Sequence, residues 1–305
     1  MTLNPVELDC RETQHGAAIP DLCGPVLPPL SLGVCSWSLQ VRSIAEPRRL
    51  LDRLGVNVVQ IACGDPHHAS WDEADALPET AQTSGIIMTR AMLGFPGEDY
   101  TTPQTIKVTG GFANPAWRPE RLQRLGWALE RTLALGLSDL TLHAGFLPEP
   151  DDPERSAVLD TLAKAADLAQ ESGITLAFET GQETAELLRT TLDELQSPNI
   201  KINFDPANML LYDMGDPIRA VELLGPGIRS VHVKDARRPG TKGRWGEEVP
   251  LGEGEGEVDI RRFIKALKSV GYQGPLAVER EVGDHAGRLR DMAPGLDFLR
   301  ECLAG

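Results

Sequence analysis

Positive charge is what this chain has too little of. Its 30 Lys and Arg face 45 Asp and Glu, a formal net charge of −15 at pH 7. A phosphate backbone or an anionic membrane surface could be held only by a local basic patch working against the overall field, so neither nucleic acid nor membrane is an expected partner. Long apolar runs are missing too: none approaches the roughly 20 residues that cross a bilayer. The first ten residues, Met1 to Cys10, hold no basic stretch followed by an apolar one, so no secretory signal is visible and the expectation is a soluble, cytoplasmic protein. Cysteine is scarce. Cys10, Cys23, Cys35, Cys63 and Cys302 are scattered, odd in number and free of any Cys-x-x-Cys pair. That argues against a disulfide framework and against a structural zinc site, and leaves free thiols as the expectation.

What is present is an ordinary globular composition, 41% hydrophobic and 25% charged over 305 residues, enough for one α/β barrel or two average domains. Residues 1–30 are rich in Pro, Gly and polar residues without a sustained period, and are expected to form an irregular N-terminal arm. From Leu32 the sequence becomes rhythmic. Short apolar runs at Leu32–Ser38, Val56–Cys63, Ile86–Leu93, Leu140–Ala144, Ile174–Glu179, Ile200–Asp205, Arg229–Asp235 and Pro275–Glu279 read as strands. Helical spacing lies between them, at Ile44–Leu54, up to Leu135, Arg155–Gln170, Glu183–Leu195, Ile218–Leu224, Ile260–Val270 and Arg288–Cys302, several of these ending at a glycine. Eight strand–helix repeats without a compositional break predict a single (β/α)8 barrel, a TIM barrel, over residues 31–305, in preference to a doubly wound sheet.

Four consecutive strands end on ligand-type side chains: Glu179, Asp205, His232 and Glu279. In a closed barrel those ends converge on one mouth. Parity supports the grouping, because Phe178, Phe204, Val231, Val233 and Val278 can face the helix layer while the four candidates face inward. Three hard oxygens and one imidazole suit a divalent cation of intermediate hardness, with Mn²⁺ placed first and Mg²⁺, Co²⁺ or Zn²⁺ as alternatives. Any one of the four alone would read as an ordinary strand-end residue; the fourfold coincidence makes the metal site the preferred reading.

The stretches Phe178-Glu-Thr180, Asn203-Phe-Asp-Pro-Ala-Asn208, Val231-His-Val-Lys-Asp235, Pro250 to Glu255 and Ala277-Val-Glu-Arg-Glu281 resemble the sugar phosphate isomerase/epimerase group of xylose-isomerase-like TIM barrels. The resemblance implies a divalent metal on Glu179, Asp205, His232 and Glu279. It also implies that in a ketose 3-epimerase the two glutamates exchange the proton. It departs at Asn208, where those epimerases carry a His, so the specific sugar does not carry over. The resulting expectation is a metal-dependent isomerase or epimerase acting on a small ketose or keto-polyol through an enediolate. A keto-polyol dehydratase on the same site and an apurinic-site endonuclease are the alternatives.

Further expected contributors are Trp37 as a wall for a sugar ring, His143 at the end of the fourth strand, Asn208, and Lys234, which shares the parity of His232. A large aromatic at a barrel mouth is more often packing, and for His143 and Lys234 a supporting role weighs about equally. The paired His67 and His68 read as solvated loop. The basic loop Lys234–Arg244 reads as a solvated surface in preference to a phosphate grip, and Gly252–Glu257 as a flexible edge of the mouth. Homo-oligomerisation is left open.

Overall fold

Strand β1 (Leu32–Cys35) pairs in parallel with β2 (Val58–Gly64) on one side and with β10 (Leu276–Val278) on the other, and the second pairing closes the sheet on itself. The computed structural model describes residues 27–40, 47–64, 85–252 and 254–305. Most of the expected N-terminal arm and the His67-His68 pair lie outside these residues. Around the barrel the remaining parallel strands are β3 (Ile87–Leu93), β4 (Asp139–Leu142), β5 (Thr175–Glu179), β6 (Ile200–Phe204) and β7 (Ile228–Val233). The predicted (β/α)8 fold is the one observed. Parallel strands are covered on both faces, which is why they read as nearly continuous apolar runs rather than as a clean alternation.

The helices between strands are α1 (Pro47–Leu54), α2 (Pro103–Thr109), α3 (Arg118–Ala134), α4 (Arg155–Glu171), α5 (Ala185–Leu195), α6 (Pro206–Leu211), α7 (Pro217–Leu224), α8 (Ile260–Ser269) and α9 (His285–Ala304). Their apolar sides pack on the outward side chains of the strands. Phe204 of β6 is fully buried and its ring stacks on Phe263 of α8 with centroids 5.8 Å apart. Among the described residues no helix is long and apolar enough to cross a membrane.

The inner face towards the barrel mouth is not the usual filling of branched aliphatics. Gln60, Thr141, Asn203, Ser230 and His232 are all buried there and joined by hydrogen bonds: Gln60 Nε2 donates to Thr141 Oγ1 at 2.9 Å, and Ser230 Oγ donates to Asn203 Oδ1. A satisfied polar layer at the core's upper end fixes the orientation of whatever stands above it.

Three local expectations are corrected. Asp205 does not end a strand; it follows β6 and caps α6, its Oδ1 accepting the Ala207 and Asn208 N–H groups at 2.8 and 3.0 Å. The basic loop after β7 contains an antiparallel ribbon, β8 (Asp235–Arg237) with β9 (Glu247–Val249). The Gly-rich stretch is not a free edge, because the Glu257 N–H donates to the Ala236 carbonyl at 2.9 Å and a Cβ on Gly256 would lie 1.9 Å from the Asp235 carboxyl carbon.

Candidate metal centre and its cavity

Glu179 is the last residue of β5, Asp205 the cap after β6, His232 a member of β7, and Glu279 the first residue past β10. One ligand atom from each lies within 4.8 Å of all the others, and all four residues are buried. His232 Nδ1 is 3.3 Å from Glu179 Oε1, 3.6 Å from Glu279 Oε2 and 3.9 Å from Asp205 Oδ2.

Each ligand-type group is held from behind. Glu179 accepts from Asn208 Nδ2 on Oε1 at 2.9 Å and from Asn203 Nδ2 on Oε2 at 3.2 Å. Glu279 accepts from Trp37 Nε1 on Oε1 at 2.6 Å and from Lys234 Nζ on Oε2 at 2.5 Å. Gln60 Oε1 stands 3.1 Å from His232 Nε2. With Nε2–H donating to Gln60, the lone pair of Nδ1 is turned towards the three carboxylates, which is the tautomer a ligand histidine needs. Gly181 (φ +136°) makes the support of Glu179 close-fitting, since a Cβ there would stand 2.4 Å from Asn208 Cβ.

Three carboxyl groups in so small a dry volume cannot all ionise at ordinary values. Burial pushes Asp205 up to about 8, against the pull of Lys234. Burial also works to raise Glu279 and Glu179, but Lys234 and His232 hold Glu279 well below the usual carboxylate range, and His143 and His232 bring Glu179 below it. The His232 imidazole is raised well above its ordinary value although burial opposes its charge; Cys35, Glu179 and Glu279 are the neighbours responsible. Burial pushes the Cys35 thiol itself up to about 12, so it is neutral near pH 7, and the glutamates supply the charge that matters.

The donor set fits a divalent cation of intermediate hardness: three oxygens, one imidazole and a common centre. Asp205 Oδ2 is buried, accepts no well-aligned hydrogen bond and lies 3.1 Å from Lys234 Nζ, whose ammonium offsets its charge and leaves a lone pair open to a further ligand.

Above the cluster opens a cavity of about 730 Å³, large enough for a monosaccharide. Trp37, His143 and Asn208 line it, as does the Glu179–Glu279 pair. Lys234 does not; its ammonium sits below the wall among Asp205, Glu279 and Glu281. His143 Nε2 is 3.7 Å from Glu179 Oε2. Sequence reasoning missed Gln60, Asn203 and Glu281 here, and the rings of Tyr100, Tyr212 and Trp245 that complete the wall. Gln60 carried a signal, being a lone amide inside the apolar run Val58 to Cys63. Asn203 carried one too, since it shares the parity of Asp205.

Glu183, outside the ligand set, is also buried, and desolvation and the charge of Glu179 push it from 4.5 up to about 8. Between those values the folded chain keeps a proton that the unfolded chain has released, so this group's contribution to stability declines as pH rises from about 4.5 to about 8. Glu183→Gln removes the titration. The thermal midpoint of the variant relative to the parent should therefore rise between pH 5 and pH 8; equal offsets at the two pH values would show that Glu183 does not titrate in this window.

The model of the xylose isomerase-like TIM barrel family matches residues 49–302. Among solved structures, a xylose isomerase domain protein from Planctomyces limnophilus is 31% identical, superposes with a TM-score of 0.79, and is matched over 90% of this chain and 97% of its own. Among curated relatives, an L-ribulose 3-epimerase from Methylomonas sp. is 25% identical, with 74% of each chain covered. The L-ribulose-5-phosphate 3-epimerase UlaE of Escherichia coli is 26% identical, covering 61% of this chain and 82% of its own. With five-sixths of the sequence inside the family's match and the barrel closed as described, the chain belongs to the xylose isomerase-like TIM barrel family.

Proposed function

We propose that the protein is a divalent-metal-dependent ketose isomerase or epimerase, with Glu179, Asp205, His232 and Glu279 as ligands and the two glutamates as the proton-transferring pair. The observation that carries this reading is the convergence of one imidazole and three carboxyl groups within 4.8 Å, with Glu179 and Glu279 reaching the wall of a sugar-sized cavity and Asp205 and His232 buried behind it. A divalent cation held there supplies a Lewis acid that polarises the ketone and neighbouring hydroxyl oxygens of the substrate.

The chain's own groups do the rest. Glu179 and Glu279 are kept ionised near neutral pH, so either can take the proton from the carbon beside the ketone. The electron pair of the broken C–H bond moves to the carbonyl oxygen; the same glutamate can give its proton back, whereas inversion requires the opposite glutamate first to take up a proton from solvent through the open cavity and deliver it to the other face, the first then releasing its own to solvent. Asn203 and Asn208 aim Glu179, and Trp37 and Lys234 aim Glu279. Trp37 also stands edge-on to the His232 ring, centroids 5.6 Å apart, closing that flank to water. The curated relatives named above are epimerases, which supports this reading over the dehydratase and endonuclease alternatives.

Product analysis tests it. Incubation of the Mn²⁺-loaded protein with a panel of ketopentoses and ketohexoses should yield the sugar changed at the carbon beside the ketone or the isomeric aldose. Return of every sugar unchanged would refute the proposal.

A further inference from the structure

The relatives named above include epimerases of a free ketose and of a ketose phosphate, and the cavity wall discriminates between these classes. We propose, resting on the function just given, that this chain takes an uncharged ketose or keto-polyol and rejects its phosphate ester.

Three observations carry this. First, besides the two catalytic glutamates the wall carries Glu281, Glu248, which is paired with Arg280 at 2.7 Å, and Glu98, which accepts the Gly111 N–H at 2.8 Å, and among the described residues Arg288 is its one Lys or Arg. That guanidinium is already engaged: Nε donates to the Gly283 carbonyl at 3.1 Å, Nη1 to the Trp37 carbonyl at 3.2 Å, and Nη2 to the Glu281 carbonyl.

Second, the places where this fold usually grips phosphate, after its seventh and eighth barrel strands, are occupied by carboxylates. After β7, the Ala236 and Val258 N–H groups are taken by Asp235 Oδ1 at 2.9 and 3.1 Å. After β10, the α9 N-terminus is capped by Asp284, which accepts the Gly287 N–H at 2.8 Å. The arginines of the β8–β9 ribbon are paired as well, Arg237 with Glu247 and Glu255 at 3.2 and 3.1 Å, and Arg238 with Asp213 at 3.3 Å. Lys242 and Arg244 are exposed and do not line the cavity.

Third, what the wall offers in place of cations suits neutral sugar. Tyr212 and Trp245 meet edge to face with centroids 4.7 Å apart, giving apolar surface for C–H faces with polar tips for hydroxyls. Glu281, half-exposed and tied to Lys234 Nζ at 2.9 Å, presents acceptor oxygens for a hydroxyl and repulsion for a phosphate.

Calorimetric titration of the Mn²⁺-loaded protein, free ion removed, with matched pairs decides the matter: L-ribulose against its 5-phosphate, and D-fructose against its 6-phosphate. The free ketose should bind at least about 30-fold more tightly than its ester, the scale expected when a dianion is placed within several ångströms of carboxylates whose charge their partners offset only in part. Glu281→Gln should narrow that ratio by about 10-fold, through tighter binding of the ester. Equal or tighter binding of the ester by the parent overturns the inference and leaves the epimerase reading intact. Failure of both members of every pair to bind overturns the inference together with the reading beneath it.

Discussion

Replacement of His232 by Ala is expected to empty the metal centre. After dialysis against Mn²⁺ and removal of free ion, the parent should retain about one ion per chain and the variant less than about a tenth of that, because loss of a ligand exceeds the 10–100-fold cost of losing a supporting contact. The imidazole is the set's single nitrogen donor and stands within 3.9 Å of the other three donors. Its removal also leaves Gln60 Oε1 without its partner in a buried layer, so some stability is lost as well. His232→Gln, closer in volume, separates the effects: it should recover part of the thermal midpoint without recovering the metal. Elemental analysis is the readout, and unchanged metal content in both variants would remove the centre from the account.

Glu179→Gln and Glu279→Gln should each lower kcat by about 10² to 10⁴, the range associated with a positioned proton-transfer group. The geometry explains why an amide cannot substitute. Both oxygens of Glu179 accept from amide donors, and both oxygens of Glu279 accept from Trp37 or Lys234. A Gln at either place must turn its NH₂ group against a donor, leaving that donor unpaired at a cost of about 1–3 kcal/mol. Because the same residues are proposed ligands, turnover is compared only between preparations of equal metal content. Parent-like turnover by both metal-loaded variants would make the carboxylates ligands only.

The four ligand-type residues were legible because a barrel turns linear strand order into a ring, and because parity along each strand assigns a side chain to the inside or the outside. Val231, His232 and Val233 are a direct case. The short helix α6 was not legible: six residues give fewer than two turns, too few to reveal a period, and Pro206 reads equally as a strand breaker and as the first residue of a helix capped by Asp205. The β8–β9 ribbon escaped for a similar reason, its strands being three residues each and set among Gly, Pro and charged residues. Lys234 was recognised as inward-facing, but its burial among Asp205, Glu279 and Glu281 depends on side chains from the ends of two other strands, β6 and β10. Local pattern carries no information about such a meeting. The pairing of Trp37 with Glu279, 242 positions apart, is of the same kind.

Proton exchange driven from this one cluster is tested most directly by deuterium incorporation from D₂O into a bound ketose, followed by NMR. With Mn²⁺ loaded, label should enter at the carbon beside the ketone; it should stop when the ion is removed by chelation and resume when the ion is restored. Exchange that continues undiminished in the chelated protein, or that never occurs in the loaded one, would contradict the account.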